Sequence, residues 1–138
     1  MKIYYREKSG GIEILRCFGI EGRVEIPGMI DDKLVISAAP YAFSSHMDEK
    51  EDLKNASLWE VSDGLEFGRE EHVLAGNDVE EIVFPYTLKE IGRYIFYGCG
   101  NLKKLEFSDS LMQIGCGAFT GCHALEKLTV HMEIGRAH

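Results

Sequence analysis

The chain has 138 residues, 45% hydrophobic and 28% charged, with a formal net charge of -8 from 15 basic and 23 acidic side chains. That length fits one domain with a modest core, and the apolar content is too high for wholesale disorder. The acidic balance opposes attraction to nucleic acid and to anionic membrane surfaces.

At the amino terminus, KIYYREKSGGIEILRCFG reads as two alternating stretches, Ile3 to Arg6 and Ile12 to Phe18, joined by a Ser-Gly-Gly turn. The pattern predicts a hairpin, and residues 1–23 are assigned to it. The same opening holds no uninterrupted apolar stretch, and no apolar run in the chain has bilayer length. The expectation is a cytoplasmic chain with no membrane partner.

Residues 44–78 concentrate the charge, with ten acidic and three basic side chains against thirteen and twelve in the remainder. Such a segment either presents an acidic patch to a basic partner or is a solvated insertion that keeps a small protein soluble. A helix is expected from about Asp48 to Leu58, with Leu53, Leu58 and Trp59 as contacts with the rest of the chain. Trp59 either packs there or anchors a partner.

Beyond Asp78 the chain repeats itself. Ile82 to Lys104, IVFPYTLKEIGRYIFYGCGNLKK, aligns without a gap on Leu105 to Lys127, LEFSDSLMQIGCGAFTGCHALEK. Nine of 23 positions are identical, and they are spaced as a core would be: Phe84 with Phe107, Leu88 with Leu111, Ile91 with Ile114, Phe96 with Phe119. Leu125 to Val130 begins the unit again. Each unit offers a short extended stretch, a turn, and a brief helical piece carrying the phenylalanine. Stacked units bury what one cannot. Gly98 and Gly121 stand where the chain must leave that piece, which calls for positive φ.

The pattern I-G-x-x-[AI]-F-x-G-C-x-x-L followed by L-x-F resembles the BspA-like leucine-rich repeats of many bacterial proteins. The resemblance implies a β-rich α/β solenoid, a short stack of coils of about 23 residues, with the hairpin as its amino-terminal cap. Residues 79–130 are then the regular repeats, and 24–43, within VEIPGMIDDKLVISAAPYAFSS, a divergent first repeat in which Ser37 and Ala38 replace isoleucine-glycine. Residues 44–78 become an acidic insertion and 131–138 an irregular tail, all within one domain.

Little in the chain points to chemistry. The four cysteines, Cys17, Cys99, Cys116 and Cys122, form no CxxC pair, and the five histidines, His46, His72, His123, His131 and His138, lack metal-ligand spacing. Cys122 beside His123 suggests an activated thiol, but the register places Cys122 with Cys99 at an inward position, where a packing role is expected. Cys116 is expected to be exposed. No phosphate loop or nucleophile elbow is present. The reading is therefore a non-catalytic protein–protein interaction scaffold with no cofactor and no metal. A fragment of a larger repeat protein is the alternative, and a thiol or metal enzyme a third.

Residues between the leucine positions of the extended stretch face outward and form a ladder across coils. Val83, Glu106 and Thr129, flanked by Glu81, Lys104 and Lys127, are the candidate binding residues for a protein partner. In the ending, HMEIGRAH, Met132, Ile134 and Gly135 echo Met112, Ile114 and Gly115 three residues early. An uncapped carboxyl-terminal coil predicts homodimer contact through that end.

Overall fold

The computed structural model describes residues 1–46, 53–61 and 70–132. Alternating apolar residues form β1 (Lys2–Lys8) and β2 (Gly11–Gly19), an antiparallel pair joined through Ser9 and Gly10, both with positive φ as a tight hairpin turn requires. The chain then winds into coils. One side of the coils is a parallel ladder of β3 (Arg23–Glu25), β8 (Glu81–Val83), β10 (Lys104–Ser108) and β12 (Lys127–His131). A second side stacks β5 (Lys33–Ala38), β9 (Glu90–Ile91) and β11 (Gln113–Ile114) in parallel onto β2. In the first coil β4 (Met29–Ile30) folds back on β5 and lengthens the corner.

The third side contains no strand, yet its backbone is paired just as regularly. The amides of Tyr41, Phe43 and Ser45 donate to the carbonyls of Arg93, Ile95 and Tyr97, at 3.2, 3.0 and 3.1 Å. One coil further, those of Tyr94, Phe96 and Gly98 donate to Cys116, Ala118 and Thr120. The molecule is thus a β-solenoid with coils of about 23 residues, in line with the repeat period. The brief helical piece expected in each coil is instead this run of turns. Some of its amides are committed to the next coil and others to carbonyls only three residues back, and positive φ at Tyr94, Gly98, Gly117 and Gly121 interrupts helical geometry. Among the described residues, helical geometry is confined to two single 3-10 turns, Leu53–Asn55 and Gly76–Asp78.

Inside, like residues stack on like. Val24, Ile82 and Leu105 form one buried column, and buried Phe43 and Phe96 with half-buried Phe119 form another, with ring centroids 6.2 and 5.7 Å apart. Burying each such side chain contributes roughly 1.5–3 kcal/mol. The coils approach so closely at Gly92 and Gly115 that a Cβ there would strike the backbone of Pro40 and Arg93 respectively. Because Ala38 pairs with Ile91, the first coil carries Ala38 and Ala39 where the others have isoleucine-glycine, one residue later than Ser37 and Ala38. Alanine is tolerated there because the strand ahead of it, β2, runs straight on to Gly19 instead of turning.

The acidic insertion leaves the coil path after Ser45 and rejoins it at Gly76, whose amide donates to Phe43 O at 2.9 Å, as that of Cys99 donates to Phe96 O. Within it, β6 (Ser57–Glu60) pairs antiparallel with the outer edge of β1, and β7 (His72–Val73) with the end of β2. Of the helix expected over Asp48 to Leu58, residues 48–52 lie outside the described part. Residues 53–55 form a 3-10 turn and Leu58 lies in β6, because the edge of β1 offers a row of backbone partners that an isolated short helix lacks. Trp59 sits opposite Ile3 and packs half-buried against the core.

The turn ladder begins with a side chain. Arg16, 4% exposed, donates through one guanidinium nitrogen to the carbonyls of Tyr41, Ala42 and Ser44 at 2.9, 3.0 and 3.0 Å. Ala42 and Ser44 hold the places that Ile95 and Tyr97 hold in the second coil, so one arginine answers carbonyls that a preceding coil's amides would otherwise meet. Arg16→Met leaves them without that donor. It is expected to lower the free energy of unfolding in urea by about 3 kcal/mol, with Arg16→Lys recovering only part, since an ammonium lacks the planar fork.

Candidate interaction surface

Along the ladder of first strands, inward residues alternate with outward ones, and the parallel register aligns the outward ones in columns. Glu81, Lys104 and Lys127 lie opposite one another in one column, and Val83, Glu106 and Thr129 in the next. All six candidate residues therefore meet on one face. The structure adds a rung that the sequence reading left out: Arg23 pairs with Glu81 and Glu25 with Val83. Its signal was the alternation of Val24, Glu25 and Ile26, which matches that of Ile82, Val83 and Phe84.

Charge alternates over part of this face. Arg23 reaches Glu25 at 3.2 Å and Glu81 at 3.5 Å, and His131 lies 3.3 Å from Glu106. These contacts are exposed enough to contribute little to stability. Lys104 and Lys127 are exposed neighbours of like charge at the carboxyl-terminal end of their column.

The face built on β5, β9 and β11 is different in kind. Here Glu13, with a side chain only 2% exposed, accepts from Arg6 at 2.7 Å, Lys8 at 3.1 Å and Ser37 at 2.9 Å. Lys8 also donates to Glu90 at 2.6 Å, and Ser37 lies 3.0 Å from the same Glu90 oxygen. The Lys8 contact holds the Glu90 carboxyl below its usual pKa, and Glu90 in turn raises that of Lys8. Tyr41 and Tyr94 stack at 5.6 Å on the turn side, each with positive φ.

All four cysteines are free thiols. Cys99 donates to Phe43 O at 3.1 Å and Cys122 to Phe96 O at 3.4 Å, so the two occupy one inward column. Burial pushes the Cys17 and Cys99 thiols up to about 12 and raises that of Cys122. Cys116 is exposed. His46, His72, His123 and His131 are all exposed, His138 lies outside the described residues, and no group of three potential metal ligands occurs among the described residues.

A family model described as a BspA-type leucine-rich-repeat region of six copies matches residues 70–137. Residues 70–137 are a BspA-type leucine-rich-repeat region. Two solved structures share its fold. A leucine-rich cell-surface protein of Faecalibacterium prausnitzii superposes with a TM-score of 0.61 at 20% identity, covering 94% of this chain and 30% of that one. The leucine-rich-repeat protein of T. pallidum superposes at 0.52 and 16% identity, covering 95% of this chain and 80% of its own. The chain thus spans less than a third of the first of them. No curated protein matches it.

The thiol environments make a direct prediction. At pH 8 the raised pKa values keep Cys17 and Cys99 neutral and burial keeps them out of reach. One fast equivalent, at Cys116, is expected with a disulfide reagent, a slower one at Cys122, and Cys17 and Cys99 only on unfolding. Peptide mapping by mass spectrometry checks the order, and Cys116→Ser should remove the fast phase.

Proposed function

We propose that this chain is a non-catalytic interaction scaffold that holds a protein partner across its ladder of first strands. The observation that supports the reading is the register: four parallel strands align Arg23 and Glu25 with Glu81 and Val83, then with Lys104 and Glu106, then with Lys127 and Thr129. Such a surface can be read by complementary charges at fixed separations of about 4.8 Å. Burial raises the thiols of Cys17, Cys99 and Cys122, which fits packing roles for them.

The triple substitution Val83→Arg, Glu106→Arg, Thr129→Arg tests it. Partners captured from source-cell lysate are identified and purified, and their affinities for wild type and variant compared, with the unfolding midpoint as a control for folding. A loss of at least tenfold in affinity is expected. Equal affinity in a folded variant would remove the ladder from consideration.

A second reading, a repeat fragment that associates with a second copy through its carboxyl-terminal face, has its own observation. Leu128 and Val130 are 51% and 48% exposed, whereas Leu105 and Phe107, one coil earlier in the same columns, are buried. Ile114 is likewise exposed and Ile91 buried. Sedimentation should then show concentration-dependent dimers that Leu128→Lys with Val130→Glu abolishes. A monomer at every concentration would dismiss this reading.

A further inference from the structure

On the face of β5, β9 and β11, beside the tip of the β1–β2 hairpin, lies an open groove of about 550 Å³. Its lining is mixed: polar Lys8, Glu13, Ser37, Glu90 and Gln113 together with apolar Pro40, Met112 and Ile114. Gly92 and Gly115 also line it. We propose that this groove is a saccharide-binding site, taking an extended, uncharged glycan along the solenoid axis.

Charge narrows the choice of ligand first. The groove's two carboxylates, Glu13 and Glu90, are matched by the two cations Arg6 and Lys8 that contact them, so the groove attracts neither anion nor cation by net charge. It remains rich in directional groups. Lys8 uses two of its three protons on Glu13 and Glu90, and among the described residues Glu90 is engaged through one oxygen only. The Gln113 carboxamide, exposed, makes no side-chain hydrogen bond among the described residues, and it offers both a donor and an acceptor. A sugar hydroxyl needs that combination, because it donates and accepts at once. The apolar part of the lining suits the C–H face of a sugar ring.

Register selects an extended glycan over a peptide. Ser37, Glu90 and Gln113 lie opposite one another on successive coils, so the polar groups recur at about the 4.8 Å strand separation. One ring of an extended β-linked glycan advances by close to that distance with alternate rings turned over, so each ring meets a polar rung and alternate rings meet alternate coils in the same way. An extended peptide advances about 3.3 Å per residue and loses the register after a single coil. The site is separate from the first-strand ladder, which lies on another side of the solenoid.

The test is titration of ¹⁵N-labelled protein with the β-1,4-linked tetrasaccharides of glucose and of N-acetylglucosamine, followed by amide shifts. Saturable shifts are expected at Lys8, Gly92, Gln113 and Gly115. Gln113→Leu should weaken binding at least tenfold without moving the unfolding midpoint, and Glu90→Gln should weaken it as well. The Val83→Arg, Glu106→Arg, Thr129→Arg variant should bind the glycan as wild type does, so the two surfaces fail independently. No saturable shift with either tetrasaccharide at millimolar concentration would overturn the proposal. So would saturable shifts confined to another face, or undiminished affinity in Gln113→Leu.

Discussion

Every coil of this solenoid points many of its backbone amides and carbonyls along the axis, and those groups must find their partners on a neighbouring coil. Within the stack the requirement is met on all three sides, by two parallel ladders of strands and by the amide-to-carbonyl contacts of the turns. A buried amide or carbonyl without a partner costs about 1–3 kcal/mol, so a repeated mismatch would undo the stack. At the amino-terminal end each side needs a different answer. Strand β2 supplies one for β5, and Arg16, a single side chain, supplies the donors for the turns. The acidic insertion completes the cap by laying β6 along β1.

That constraint explains which residues recur. Close axial approach leaves no space for a Cβ at Gly92 and Gly115, and the column of Phe43, Phe96 and Phe119 fills the interior at ring separations near 6 Å. The departures are explained as well. Ala39 replaces glycine where no turn precedes it, and Gly76 stands where Cys99 and Cys122 stand in later coils because a Cβ there would press on Ser45. Tyr94 and Gly117 share a place with positive φ, and a side chain at Gly117 would enter the Tyr94 ring. Each identity thus reflects the coil ahead of it as much as its own conformation.

The 23-residue repeat of Ile82 to Lys127 was legible in the sequence because its spacing is unbroken, and with it the fold and the composition of the outward columns. What escaped was set by partners far along the chain. The rung formed by Arg23 and Glu25 is three residues long and is separated from the next by the long corner at β4 and by the insertion, so no fixed period connects it to Glu81 and Val83. The helix expected around Leu53 to Leu58 gave way to a strand because β1 has an edge to be covered, which local propensity does not record. Tyr94 to Gly98 likewise looks helical by apolar spacing, while some of its amides serve the next coil.

The same reasoning separates the two outward faces. On the first-strand ladder the polar side chains are exposed or half-buried and their ion pairs are loose, which leaves them free to exchange partners with an arriving surface at little expense. On the β5–β9–β11 face Glu13 is withdrawn from solvent and held by Arg6, Lys8 and Ser37, so it has lost much of its freedom to rearrange. Fixed groups bind with less loss of side-chain entropy than mobile ones. A partner on the first face must therefore gain affinity from area and complementary charge, whereas a ligand on the second meets a wall whose geometry is already set by the stacking of the coils beneath it.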